Sequence, residues 1–228
     1  MRGKKYLISL LLAAAVAAPA VPAHAMTWGA DVFGAFSTHS MGDVNDAIDF
    51  SNEPISAGGN GTDFDKVSNS FGGGLGIRVK PNSTWMFEGT WEPLFPSTED
   101  NNDSGNKIDL NANSFQLTAT YWLPSQSTNK FGIAGGIGYY TLNGKLEATG
   151  APSEDVTGSG VGFHILGTGE WEVSPGFGFF GSAGYRMAKI GDTQFDDQST
   201  DPKSETDFSG FTARAGLAFY MVPSGAGH

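Results

Sequence analysis

Residues 85–92 read WMFEGTWE, and this stretch decides the fold. Two tryptophans, a phenylalanine and a glycine fall on one parity, whereas both glutamates fall on the other. Successive side chains of a β-strand point to opposite faces, so such a strand is apolar on one face and acidic on the other. A closed sheet that is apolar outside and ionic inside is what a barrel in a membrane requires. The stretch therefore predicts one strand of a transmembrane barrel.

The same alternation returns along the chain with the same assignment of faces. Leu75, Ile77 and Val79, for example, alternate with Arg78 and Lys80. We predict an all-β fold, an eight-stranded antiparallel up-and-down barrel, because a tilted strand needs only about 10 alternating residues to cross a bilayer. The predicted strands cover residues 26–37, 68–80, 84–95, 110–123, 130–142, 160–173, 177–190 and 208–221.

The connections between these strands alternate in length. Those at 81–83, 124–129 and 174–176 are short and rich in residues that form tight turns. The other four are long and cover residues 38–67, 96–109, 143–159 and 191–207. With eight strands, this alternation places all long connections at one end of the barrel and both termini at the other. That is the plan of bacterial outer-membrane barrels, which have short periplasmic turns and long external loops.

The charged residues of the predicted strands have inward parity, except Lys189, which has outward parity close to the external rim. All but five of the 24 acidic residues lie in the long connections, and those five share the inward face with basic residues. Arg78 has Asp31 and Glu88 at similar depth on the two neighbouring strands. An unpaired buried charge costs several kcal/mol, so we predict a network of ion pairs that fills the lumen. The predicted network consists of Asp31, Arg78, Lys80, Glu88, Glu92, His164, Glu170, Arg186 and Arg214.

Aromatic residues near both ends of the strands have outward parity. Aromatic side chains with a polar atom prefer the boundary between water and lipid, where they form girdles. The predicted girdle consists of Trp28, Trp85, Trp91, Phe131, Tyr139, Trp171 and Tyr185. The ordinary β-propensity of aromatic residues is the alternative explanation. A soluble sandwich would also alternate, but it would need a second sheet to cover its apolar face.

Residues 1–25 are predicted to be a cleaved secretory signal peptide. Arg2, Lys4 and Lys5 precede an apolar segment, and Ala-His-Ala at 23–25 supplies the small-x-small cleavage pattern. The predicted barrel then spans residues 26–221, and a short tail follows at 222–228. The chain has no cysteine, which excludes disulfides and thiolate metal sites. Its formal net charge of −11 argues against nucleic acid as a partner.

The last predicted strand, SGFTARAGLAFYM at 209–221, resembles the final strand of the outer-membrane β-barrel superfamily, which includes the OmpA membrane domain, OmpX, OmpW and the opacity proteins. Residues 135–140 and 160–164 are similar to other strands of these barrels. The resemblance implies an integral outer-membrane location. It also implies a monomer whose partners are outer-membrane lipid, lipopolysaccharide, periplasmic chaperones and the barrel-assembly machinery. The implied barrel-assembly signal is Arg214, Gly216, Phe219 and Met221, although family members usually end on the aromatic residue and this chain continues.

What the resemblance implies about function is a non-catalytic role in membrane integrity or surface interaction, with the acidic loops outside. Two alternatives stay open. One is a narrow channel for small or hydrophobic solutes, as OmpW-like barrels are thought to be. The other is a hydrolase acting on lipid A, which would attack an ester with a base-activated hydroxyl. Small barrels that edit lipid A use His and Ser with an acid near the outer rim, and His39 and Ser40 open the first long connection.

Three other patterns have simpler interpretations. Residues 176–181 match G-x-G-x-x-G, but no helix follows, so dinucleotide binding is not expected. Residues 41–52 have apolar side chains at helical spacing, and we predict a short helix over the barrel mouth; a helix on the membrane surface and a disordered loop are the alternatives. Residues 43–46 break EF-hand spacing, so we expect the acidic loops to be a solvated surface with no metal site and no cofactor. The alternative is that their carboxylates bind Ca²⁺ or Mg²⁺ together with lipopolysaccharide phosphates; the candidates are Asp63, Asp65, Asp100, Asp103, Asp196, Asp197 and Asp201.

Overall fold

The computed structural model describes residues 26–40, 69–94, 100–101, 106–147, 154–195, 198–199 and 206–221. The predicted signal peptide, the helix over 41–52 and the tail at 222–228 lie outside the described residues. No helix in the described part of the chain is long and apolar enough to cross a membrane.

Eight long strands form one closed antiparallel barrel. Each strand pairs with the next along the chain, and the last strand pairs with the first in register from Gly29 with Tyr220 to Ser37 with Thr212. The strands are β1 (Thr27–Thr38), β2 (Asn69–Lys80), β3 (Trp85–Leu94), β4 (Asn106–Trp122), β5 (Lys130–Glu147), β6 (Glu154–Ser174), β7 (Phe177–Phe195) and β8 (Gly210–Tyr220). Two-residue segments at Asp100–Asn101, Gln198–Ser199 and Thr206–Asp207 extend the ladder beside β4 and β7. The predicted eight-stranded barrel is confirmed.

The short connections all lie at one end of the barrel. The Asn82 carboxamide oxygen accepts hydrogen bonds from the backbone N–H groups of Thr84 and Trp85, which holds the β2–β3 turn. Gly176 adopts a φ of 84° in the β6–β7 turn, a conformation that other residues rarely reach. Thr27 pairs with Lys80, so the start of the barrel lies at this same end.

The strands differ in how well their ends follow the predicted ranges. The ends of β1, β2, β3 and β8 agree with the prediction to within two residues, whereas β4 to β7 extend four to six residues further at the long-connection end. In these extensions the ladder contains charged pairs as well as apolar ones such as Ile108 with Leu146. Lys145, for example, pairs in register with Asp155, and both side chains are exposed. Backbone pairing therefore continues into segments that the sequence placed in the long connections.

The two faces of the sheet have the polarity that a bilayer demands. Outward side chains such as Ile77, Phe163 and Met187 are more than half exposed, whereas Arg78 and Arg186 are each only 1% exposed. Because the core of a bilayer contains no water, large apolar side chains are stable when they face the lipid. Charged side chains are stable only inside the barrel.

Candidate functional site: the barrel lumen

Charged side chains inside the barrel form two layers. We call the layer nearer the short turns the lower layer; it consists of Asp31, Arg78, Lys80, Glu88 and Glu170. The layer nearer the long connections is the upper layer; it consists of Glu92, Arg186 and Arg214, with His39 and His164 beside them. Four carboxylates and four cations are thus enclosed together, so their formal charges balance.

Arg78 is the centre of the lower layer. Its Nε lies 2.8 Å from Oδ2 of Asp31 on β1 and 2.9 Å from Oε2 of Glu88 on β3. Inward parity and matched depth place the three residues together, because Arg78 is in register with Glu88 and lies near Asp31 across the β1–β2 ladder. A guanidinium between two carboxylates is a charge-assisted arrangement, which is stronger than a neutral hydrogen bond.

The lower layer also spans the lumen. Arg78 Nη1 lies 3.4 Å from Oε2 of Glu170 on β6, which is four strands away from β2 in either direction around the barrel. Lys80 Nζ reaches the other Glu170 oxygen at 2.5 Å, and the Tyr220 hydroxyl donates to Oε2 at 2.6 Å. These contacts connect opposite walls.

An aromatic pair separates the two layers. The rings of Phe33 and Phe180 meet edge to face with centroids 6.3 Å apart. The Arg78 guanidinium lies 3.8 Å from the Phe180 ring centroid, and the Arg214 guanidinium lies 5.0 Å from that of Phe33. Both arginines therefore gain cation–π contacts in addition to their ion pairs.

The upper layer spans the lumen by different contacts. Arg214 Nη2 on β8 lies 2.5 Å from Oε2 of Glu92 and donates to Oε1 of Gln116 at 2.7 Å. Gln116 lies on β4, four strands away from β8, and its own amide donates to Glu92 and to Ser114. Arg186 Nη1 on β7 lies 3.8 Å from Glu92 Oε1, which is an ion pair too long for a hydrogen bond.

His39 follows the last residue of β1, at the rim of the upper layer. Its Nε2 lies 2.7 Å from Ser70 Oγ, and Arg186 Nη2 lies 3.5 Å from its Nδ1. A guanidinium has no acceptor atom, so Nδ1 accepts from Arg186 and Nε2–H donates to Ser70. Burial, and then the positive charge of Arg186, lowers the pKa of His39 to about 4. Ser40, its neighbour in the sequence, is exposed and donates its backbone N–H to the Ser209 carbonyl.

His164 is held separately from His39. Its Nε2 lies 2.9 Å from Thr118 Oγ1, and its side chain is buried on β6. Among the residues that the structure describes, no group of His, Cys, Asp or Glu has the geometry to hold a metal ion.

Two network members were missed by the sequence reasoning. Gln116 and Tyr220 both have inward parity, and that parity is the signal that could have identified them. Neither carries a formal charge, so neither was selected as an ion-pair partner. In the structure, however, each bridges strands that the ion pairs alone do not connect.

The predicted girdle and assembly-signal residues occupy the outer wall, with two exceptions. Arg214 faces the lumen, and Gly216 packs against the backbone of β1. The side chains exposed to the outside are Trp28, Trp85, Trp91, Phe131, Tyr139, Trp171, Tyr185, Phe219 and Met221. Trp122, by contrast, is buried on the inner face.

A cavity of about 280 Å³ lies at the short-turn end. Its lining includes Lys80, Lys130, Glu170 and Tyr220. It therefore adjoins the lower layer on the side of the turns.

Comparison with known proteins gives one family. The model of the outer membrane protein beta-barrel domain family matches residues 8–221. No curated protein sequence matches the chain.

Several solved structures are similar at low sequence identity. Neisserial surface protein A has 16% identity and a TM-score of 0.46, and the match covers 85% of this chain and 96% of that one. Ail of Yersinia pestis, solved with the heparin analogue sucrose octasulfate, has 14% identity and a TM-score of 0.47, with coverages of 86% and 99%. OprG from Pseudomonas aeruginosa has 12% identity and a TM-score of 0.45, with coverages of 86% and 96%.

Proposed function

This chain belongs to the outer membrane protein beta-barrel domain family and is an integral protein of the bacterial outer membrane, and on that premise we propose that it is a non-catalytic barrel with a closed lumen. Its acidic external loops then carry its role, which is membrane integrity or surface interaction. Outer-membrane lipid and lipopolysaccharide are its surroundings, and periplasmic chaperones and the assembly machinery deliver it as a monomer.

One observation carries the proposal, namely that charged side chains connect opposite walls at two levels. Arg78 reaches Glu170 in the lower layer, and Arg214 reaches Gln116 in the upper layer. The lumen of an eight-stranded barrel is only wide enough for side chains, so contacts that cross its diameter leave little room for a hydrated ion. If the lumen is closed, the external loops are the part of the protein that can interact with other molecules.

The geometry of the rim supports a non-catalytic role. A hydrolase would need His39 to accept a proton from a serine hydroxyl, but the Nε2 of His39 already donates to Ser70 and its Nδ1 is engaged by Arg186. In a hydrolase, a carboxylate accepts a hydrogen bond from Nδ1–H, which leaves Nε2 free to accept a proton. Here a guanidinium donates to Nδ1, so the proton is on Nε2 and that atom cannot act as the base.

A narrow conduit for small or hydrophobic solutes is the second candidate. The cavity at the short-turn end favours it, since a conduit needs an internal space that opens toward the periplasm. In a conduit, solutes would pass the two layers of charged side chains. In a closed barrel, these layers block the lumen.

Single-channel recording separates the two candidates. We expect the refolded protein beginning at Met26 to give no steady conductance in planar bilayers, because two layers of ion pairs cross the lumen. The double variant Arg78→Ala/Arg214→Ala removes one contact across the lumen in each layer together with two long side chains, so it is expected to conduct more than wild type. Lys145→Ala, which removes an exposed lysine, serves as the control and should behave as wild type.

Steady conductance of the wild-type protein would overturn the closed lumen and establish the conduit. Mass spectra of lipid A from cells with and without the protein test the non-catalytic role. Loss of an acyl chain only in the cells that carry the protein would contradict it.

A further inference from the structure

The upper layer has more positive than negative charge. Arg186 and Arg214 are both buried there, and Glu92 is the single carboxylate that pairs with them in the described residues. The two histidines cannot compensate this charge, because an imidazole is either neutral or positive. The upper layer therefore has one positive charge in excess, whereas the matching extra carboxylate lies in the lower layer, on the other side of Phe33 and Phe180. A buried charge without a partner close by is destabilising.

The same layer holds a group of buried polar atoms that have no hydrogen-bond partner among the residues that the structure describes. Buried polar groups in proteins nearly always have partners, so five of them in one layer need an explanation. They come from five different strands and converge on the lumen. The atoms are Thr90 Oγ1, Tyr140 Oη, His164 Nδ1, Arg186 Nη1 and Arg214 Nε.

Most of these atoms are donors. The two arginine nitrogens can only donate, and the two hydroxyls can donate as well. Arg186 Nη1 lies 3.8 Å from Glu92 Oε1, which is beyond hydrogen-bond distance, and the Tyr140 ring lies beside the same guanidinium. Ordered water would satisfy the hydrogen bonds, but it would leave the charge uncompensated. A small anion satisfies both.

Tyr140 is held in place beside these nitrogens. Its ring lies 5.7 Å from the Arg186 guanidinium carbon, and it packs over Gly138 and Gly162. An ideal Cβ at either glycine would come within 2.8 Å of the ring, so the absence of both side chains makes room for the tyrosine in the lumen. Its hydroxyl then faces the lumen within a fully buried side chain.

We propose that the upper layer binds one small monovalent anion of the halide class, held by Arg186 Nη1, Arg214 Nε and the hydroxyl of Tyr140. The anion supplies a negative charge and a hydrogen-bond acceptor within the upper layer. This site is independent of whether the barrel conducts, because its role is to complete the buried network.

Binding to the folded state alone raises the free energy of unfolding with ligand concentration. The test is urea unfolding of the refolded protein in lipid vesicles, in sodium chloride and in sodium gluconate at equal ionic strength. We expect the urea midpoint to rise with chloride concentration, and bromide to act similarly. Equal midpoints in chloride and gluconate would overturn the site.

Three variants locate the site, each compared with itself in the two salts. Tyr140→Phe removes one donor without changing charge, and it should reduce the chloride-dependent shift. Glu92→Gln increases the charge excess of the upper layer and should enlarge the shift. Glu88→Gln makes the same chemical change in the lower layer and should leave the shift at its wild-type size. A Tyr140→Phe protein that keeps the full shift, or equal shifts in the two glutamine variants, would refute the assignment.

Crystals grown in bromide give a measurement that does not depend on variants. Anomalous diffraction should show a single bromide peak among Arg186, Arg214 and Tyr140. No peak at this place in bromide-grown crystals would overturn the proposal.

Discussion

Arg78 shows at the scale of a residue how a charge is tolerated inside this barrel. It is 1% exposed, yet its guanidinium contacts Asp31, Glu88 and Glu170 and stacks on the Phe180 ring. Burying an ion costs desolvation free energy, and only close partners of opposite charge offset that cost. The partners of Arg78 come from both neighbouring strands and from the opposite wall.

Replacing Arg78 with leucine should destabilise the barrel. The change leaves Asp31 and Glu88 buried without their cation, whereas Glu170 keeps Lys80. Breaking a buried pair from one side costs about 3–5 kcal/mol. Urea titration of the variant in lipid vesicles should show a lower midpoint than wild type. The control is Lys145→Leu, whose exposed pair with Asp155 should contribute less than about 1 kcal/mol. A midpoint for Arg78→Leu at or above that of wild type would contradict the network.

At the scale of elements, the barrel depends on how closely its first and last strands approach. Gly216 on β8 is in register with Phe33 on β1, at the seam that closes the sheet. An ideal Cβ at Gly216 would lie 2.2 Å from the carbonyl oxygen of Val32. Gly34 is close by on β1 but faces outward, and the nearest atom to its ideal Cβ is 4.0 Å away.

These two glycines make a matched pair of alanine substitutions. Gly216→Ala should destabilise the barrel by about 1–3 kcal/mol, because backbone must move to admit a methyl group into a packed interior. Gly34→Ala should change the stability by less than about 0.5 kcal/mol, as surface substitutions usually do. Urea midpoints in lipid vesicles compare the two. Equal midpoints would mean that the close contact at Gly216 does not limit closure.

For the whole molecule, the alternation of connection lengths sets its direction in the membrane. The short turns and the start of β1 lie at one end, with the lower ionic layer next to them. The long connections, which carry most of the acidic residues of the chain, leave from the other end. Outer-membrane barrels place their long loops outside the cell.

Epitope insertion tests this orientation. A peptide tag inserted after residue 150, between β5 and β6, should be bound by antibody on intact cells. The same tag inserted after residue 126, in the short β4–β5 connection, should be bound only after the outer membrane is permeabilised. Labelling of the second tag on intact cells would show that the barrel is inverted.

Strand number and the identity of the two faces were predictable from local sequence. The alternation of apolar and polar residues can be recognised within a single strand, without information from distant residues. The segment WMFEGTWE shows this alternation within eight positions. The outer ends of β4 to β7 were not predictable in the same way. There the backbone ladder continues through pairs such as Asp109 with Lys145, which lie in segments that the sequence assigned to the long connections.

The sequence by itself determined that the barrel has a charged interior and which side chains face it, because parity along a strand is a local property. The sequence also indicated that Arg78 lies beside Asp31 and Glu88 on the neighbouring strands, but only the tertiary structure decided which side chains meet across the lumen. Arg78 and Glu170 are 92 positions apart, and Arg214 and Gln116 are 98 apart. Their contacts depend on the closure of the sheet and on the reach of each side chain across the lumen. Closure and the distance across the lumen are properties of the complete ring of eight strands, so the sequence of a single strand does not reveal them.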